Sequence, residues 1–172
     1  MQQNFNPDAP NKVWVSDITY ARVKEDIYAI CVVIDLYARK ALSHAISPNS
    51  DTALVKKIFQ KAYEQRCPSE GLIFHGDQGS VYTAYSFRKK LRDLKVVQSF
   101  SNPGTPYDNA VAESFFSMMK REELSHKWHD SLDELEKTVA DYISYFNSYW
   151  LLQKLGNLTP DQYESLYWAK HK

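Results

Sequence analysis

The chain has 172 residues, 44% of them hydrophobic and 14% aromatic, enough to build a core and too apolar for wholesale disorder. Lys plus Arg and Asp plus Glu balance at 21 each, so no global charge draws the chain to nucleic acid, and such a role needs local patches or a partner domain. No apolar run nears the roughly 18 residues of a membrane span, the first residues lack an apolar signal core, and Cys31 and Cys67 have no paired spacing, which excludes a disulfide scaffold and suits a reducing cytoplasm.

Residues 1–12, polar and carrying Pro7 and Pro10, predict a linker. VWVSDITYARV predicts a strand over 13–23, and IYAICVVIDLYAR a central strand covered on both faces. ALSHAIS, 41–47, completes a meander. The period then changes: Leu54, Ile58 and Ala62 recur every four residues in a helix over 51–66, capped by Ser50 or Asp51 and ended by Cys67-Pro68. GLIFHGD, 71–77, is a short buried strand ending at an acid, 83–94 a helix, and 95–100 a strand. SNPGTPYD is a loop whose Asp108 caps a third helix over 109–124. Asp130 or Ser131 caps a fourth, and Thr159-Pro160 opens a last short one. The order predicts an α/β chain, a mixed five-stranded sheet with helices on both faces, divided as linker 1–12, core 13–128 and a C-terminal helical extension 129–172.

Three carboxylates stand out. Asp17 lies inside the first strand, where a charge is costly without a partner or a metal. Asp77 ends its strand just before a glycine-bearing turn, and ligands gather at the carboxyl ends of such strands. Glu113 lies one turn into the third helix. Acids on three elements converge only if cations offset their repulsion, and an all-oxygen donor set suits Mg²⁺ or Mn²⁺. Two such ions about 3.5–4 Å apart activate a water or hydroxyl and stabilise the leaving oxygen of a phosphodiester. Asn109, Glu113, Ser117 and Lys120 form one polar stripe, with Lys120 about 10.5 Å beyond Glu113, where phosphates beside the metals would run.

These residues carry a resemblance. Thirty-five residues separate Asp77 from Glu113, which with the acid in the first strand matches the D…D-35-E pattern of retroviral integrases and related transposases. WVSDITY, DLYARK, FHGDQGSVYTA, SNPGTPYDNAVAESFFSMMKRE and LTPDQYE are similar to the catalytic core of bacterial transposases of the "insertion sequence three" family, over about residues 12–166. The resemblance implies a ribonuclease-H-like fold and a triad of Asp17, Asp77 and Glu113 holding two Mg²⁺ or Mn²⁺ ions. It further implies cleavage and strand transfer of double-stranded DNA, at transposon ends and target. Lys120 matches the basic residue seven after the glutamate. An oligomeric active complex and an N-terminal helix-turn-helix region supplied elsewhere are implied too. Trp150-Leu151-Leu152 stands where the family commonly has Arg-Pro-His. Without a cation, Glu113 is expected to stand off.

Single residues have plainer readings. Asp35 reads as a strand-end turn acid. His75 shares a strand face with Asp77 and either contacts phosphate or is structural, and Asn109 either binds DNA, orients Glu113 or caps its helix. His126 and His129 read as solvated loop residues. Two rivals remain: a nuclease or resolvase that only hydrolyses, and a non-catalytic DNA-binding assembly module.

Overall fold

A computed structural model describes residues 6–101, 110–125 and 127–171. Alternation in the first strands sets the layering. In β1 (Val13–Val23) and β2 (Asp26–Asp35), Val13, Val15, Ile30, Val32 and Ile34 face one way, and Trp14, Ala29, Cys31 and Val33 face the other. Both faces are therefore apolar and both are covered. β3 (Lys40–Ser47) completes the antiparallel meander, and β4 (Ile73–Gly76) and β5 (Val97–Phe100) add in parallel. The order is β3-β2-β1-β4-β5, with β1 at the centre.

The Trp14 face is covered by α1 (Thr52–Arg66), α2 (Ser80–Thr83) and α3 (Tyr85–Asp93). The Val15 face is covered by α4 (Ala110–Met119) and α5 (Leu132–Ser148), and α6 (Pro160–Lys170) packs on α5. The caps follow side-chain chemistry. Asp51 accepts from Leu54 N, Ser131 from Glu134 N, and Thr159 forms a capping box with Gln162. α1 ends at Cys67 in a left-handed conformation before Pro68.

Three expectations change in detail. The helix expected over 83–94 breaks at Ala84, whose extended backbone separates α2 from α3. The third helix ends as a regular α-helix at Met119 and continues as a π-helical turn over Lys120–Leu124, where Ser125 N reaches Lys120 O at 2.8 Å. His129 is buried rather than solvated, because its backbone joins the end of β1 through Lys24 N and a bridge to Val23. His126 lies outside the described residues.

The C-terminal part is integrated with the sheet. Leu135, Val139, Tyr142, Ile143 and Phe146 of α5 belong to the same buried cluster as β1 and β2. Trp150 and Leu152 pack against that cluster, and Leu152 N bonds Leu158 O at 3.0 Å. Glu164 of α6, 4% exposed, pairs with Arg66 and with Lys40, the latter at 2.7 Å. Arg66 also donates to Asn11, which ties residues before β1 to the end of α1.

Candidate active site

Asp17 lies in the central strand and Asp77 immediately follows β4. β1 and β4 pair in parallel through Val13 with Ile73, Trp14 with Phe74 and Val15 with His75. Two residues further along each strand come Asp17 and Asp77. Asp17, in the interior of β1, and Asp77, just past the end of β4, are therefore in step on neighbouring strands, which stand about 4.8 Å apart where the ladder pairs them. Alternation puts Asp17 on the face that carries α4.

Local hydrogen bonds orient both carboxylates. Asp77 Oδ1 accepts from Gly79 N at 2.8 Å, and Asp17 Oδ1 accepts from Ile18 N at 2.8 Å. A Cβ at Gly79 would lie 2.7 Å from Asp77 Oδ1, so a larger residue there would turn the carboxylate aside. Asp77 is exposed and Asp17 half-buried, so their oxygens line a surface that solvent and a substrate can reach.

Glu113 lies in the first turn of α4, exposed, on a helix that packs against β1. Among the described residues no three His, Cys, Asp or Glu side chains are grouped closely enough to hold a metal ion. The structure thus puts Asp17 and Asp77 on neighbouring strands and Glu113 on the helix that packs against β1. Carboxylates repel at closing distance, so full convergence needs a cation's charge. The donors are all carboxylate oxygens, which suits a hard divalent ion.

The other candidates fare differently. Lys120 is exposed and opens the π-helical turn beyond Glu113. Asn109 and Asp108 lie outside the described residues. His75 must be corrected as a DNA contact. It is 0% exposed, with Nδ1 3.0 Å from Ser99 Oγ and Nε2 3.0 Å from Ser101 Oγ. A ring sealed between two hydroxyls serves packing at the strand end.

Asp35 is a turn acid, but a buried one. It accepts from Tyr37 N at 2.8 Å and from Asn11 N at 2.6 Å. Burial pushes its carboxyl up to about 6, against the pull of those two N–H donors and the Arg66 charge. A pKa raised on folding means that the native state holds the proton more tightly. Asp35 therefore favours folding most below about pH 4 and loses that contribution as pH rises through about 6. Asp35→Asn removes this dependence. In urea unfolding, the variant's stability relative to the parent should improve by about 2 kcal/mol between pH 4 and pH 7. A flat difference between the two pH curves would contradict it.

Residue-by-residue reading missed the groups behind the acids. Ser16 is 1% exposed and Tyr82 1% exposed, and their hydroxyls lie 3.0 Å apart. Cys31 Sγ lies 3.6 Å from Ser16 Oγ, and burial pushes its thiol up to about 12, so it stays neutral. The only signal was adjacency: Ser16 precedes Asp17, and Tyr82 follows the turn after Asp77.

Comparison with known proteins agrees with this fold. Residues 7–106 match the family described as "Integrase core domain", and residues 94–160 match a second family of the same description. The transposase for insertion sequence element IS904 of Lactococcus lactis subsp. lactis is 35% identical over 165 residues, 95% of this chain and 65% of that protein. The putative transposase InsK for insertion sequence element IS150 of Escherichia coli is 32% identical, over 96% of this chain and 58% of that protein. The chain thus spans less than two thirds of the length of these relatives. Among solved structures, the HTLV-2 integrase catalytic core domain in complex with magnesium superposes with a TM-score of 0.69 at 15% identity, covering 91% of this chain and 98% of that one. The catalytic core domain of BIV integrase gives 0.71 at 16% identity, covering 94% and 99%.

Proposed function

Because the chain belongs to the integrase core domain family, we propose that it is the catalytic core of an insertion-sequence transposase, a metal-dependent polynucleotidyl transferase that cuts transposon ends and joins them to target DNA. The observation that carries this reading is the in-step placement of Asp17 and Asp77 on neighbouring parallel strands, with the helix of Glu113 packed on the same central strand.

Asp17, Asp77 and Glu113 would hold two Mg²⁺ or Mn²⁺ ions. Bound there, such ions supply Lewis-acid charge that makes a water or a DNA 3′-hydroxyl nucleophilic and offsets charge on the leaving oxygen. The chain's own part is positional. The β1–β4 ladder, paired as far as Val15 and His75, makes neighbours of the strands that carry Asp17 and Asp77, and Gly79 N donates to Asp77 Oδ1. Ser16 and Cys31, whose side chains meet on the sheet face opposite Asp17, are sealed in the core, and the Cys31 thiol is held neutral. A protein–DNA covalent intermediate through either is thereby disfavoured, which supports direct attack by water and then by the 3′-hydroxyl. DNA is the proposed partner, self-association accompanies the pairing of two transposon ends, and a separate helix-turn-helix region supplies end recognition. No described helix is long and apolar enough to cross a membrane.

The reading is tested with a donor duplex bearing a free 3′-hydroxyl and a supercoiled plasmid in Mn²⁺. Donor strand covalently joined to plasmid is expected. Hydrolysed plasmid with no joined product would identify a nuclease instead, and no metal-dependent product at all would refute the catalytic reading.

Lys120 offers a separate check. It is exposed and lies beyond Glu113 along the chain, and in this reading its ammonium meets a DNA phosphate. Lys120→Ala should weaken duplex binding similarly across sequences. It should also reduce the slope of log K against log[salt] by about 0.9, the release of one contact's counterions. An unchanged slope would remove Lys120 from the interface.

A further inference from the structure

The hydrogen-bonded ladder between β1 and β4 stops at Val15 and His75, one residue short of each acid's predecessor. Beyond that point each strand keeps only its other neighbour. β1 continues beside β2, where Asp17 pairs with Val32. The end of β4 turns to β5, with Gly76 opposite Phe100 and Ser101 N bonded to Gly76 O at 3.2 Å. The ladder therefore does not set the spacing of Asp17 and Asp77, although they must share a ligand.

Tyr82 spans that gap from the opposite face of the sheet. Its hydroxyl lies 3.0 Å from Ser16 Oγ, so it grips the residue before Asp17. Its ring lies flat against Gly76, the residue before Asp77. A Cβ at position 76 would fall 3.0 Å from Tyr82 Cδ1 and 3.2 Å from Cε1 and Cγ. One side chain thus touches both acid-bearing strands where they part. Tyr82 is itself held firmly. It is 1% exposed, Tyr82 N bonds Gly79 O at 3.0 Å, and Gln98 Nε2 donates to Tyr82 O at 2.7 Å. Gly79 is also the residue whose N–H orients Asp77. The turn from Asp77 to Tyr82 therefore leaves the site, folds through α2 and returns beneath it.

We infer that Tyr82 is a positioning residue for the acid pair: through Ser16 on one side and Gly76 on the other, it sets the distance between Asp17 and Asp77 and so the fit of the site to a divalent cation. The inference rests on the proposed metal-holding role of those acids. It explains why positions 16 and 76 are small. A larger residue at 76 pushes the ring away, and a residue without a hydroxyl at 16 loses the grip.

The test is Mn²⁺ affinity of this chain by electron paramagnetic resonance, in the parent, Tyr82→Phe, Ser16→Ala and the double variant. Loss of a group that supports a metal ligand commonly weakens affinity at least about 10-fold, and that loss is expected for either single change. The double variant should bind no more weakly than the singles, because each single change already breaks the shared Tyr82–Ser16 bond. Ser16→Ala removes the bond without touching the aromatic core, so poor folding of Tyr82→Phe leaves the question decidable. Folded single variants that bind Mn²⁺ as the parent does would overturn the inference. A parent that shows no Mn²⁺ binding sensitive to Asp77→Asn would overturn the metal reading instead. The brace is then decided by amide hydrogen exchange in metal-free protein. Faster exchange confined to Ile18 and to Gln78–Gly79, with α5 amides unchanged, upholds it. Uniform or absent change refutes it.

Discussion

Asp77→Asn should lower both DNA cleavage and strand transfer by at least about a thousandfold, since it removes one of the charges that hold the metals and each 1.4 kcal/mol of lost stabilisation is tenfold in rate. Asp17→Asn and Glu113→Gln should do the same. Each substitution keeps shape, and neither Asp77 nor Glu113 is buried, so folding should survive. Metal-free thermal stability should rise slightly for Asp17→Asn and Asp77→Asn, because like charges at adjacent strand ends repel. The assay is donor joining in Mg²⁺ with the full-length transposase, and Asp35→Asn is the control. Asp35 is buried beneath the β2–β3 turn, bonded to Asn11 N and Tyr37 N, so its loss should appear in the pH dependence of stability and leave chemistry largely intact. A folded Glu113→Gln protein with near-parental cleavage would show that the third ligand is misassigned.

Phe59→Ala should cost about 4 kcal/mol of stability, the usual loss for an aromatic removed from a filled core. Phe59 is 0% exposed and makes edge or tilted contacts with Trp14, Tyr63, Phe74 and Phe87 at centroid distances of 5.3 to 6.4 Å. Trp14 is on β1 and Phe74 on β4, the strands that carry the acids. Phe74 also lies 6.5 Å from Tyr82. The void would therefore open beneath the site itself. For a chain of this size the expected fall in Tm is about 12 °C, read by calorimetry. Metal affinity should fall with it if the strand ends loosen. A loss below about 1 kcal/mol would mean that the cluster repacks around the gap.

Much of the architecture was legible because it rests on local periodicity. The alternation in VWVSDITYARV and the four-residue recurrence of Leu54, Ile58 and Ala62 each produced the expected element. Capping was legible for the same reason: Asp51, Ser131 and Thr159 each accept from the N–H three residues on. The break at Ala84 and the π-helical turn after Met119 were not, because neither has a proline or glycine to mark it. Trp150 and Leu152 pack on the α5 cluster, which accounts for apolar side chains at those two positions.

The candidate site divides along the same line. By itself the sequence determined which acids stand at strand ends and helix starts, since Asp77 closes an apolar run and Glu113 enters an amphipathic helix. Tertiary structure alone decided that Asp17 and Asp77 come into step, because the parallel pairing of β1 with β4 joins segments some 60 residues apart and no local pattern encodes register. It alone buried His75 between Ser99 and Ser101, and set Tyr82 against Ser16 and Gly76. Those relations depend on which side chains two distant strands present to each other once paired, and short-range propensity carries no information about that.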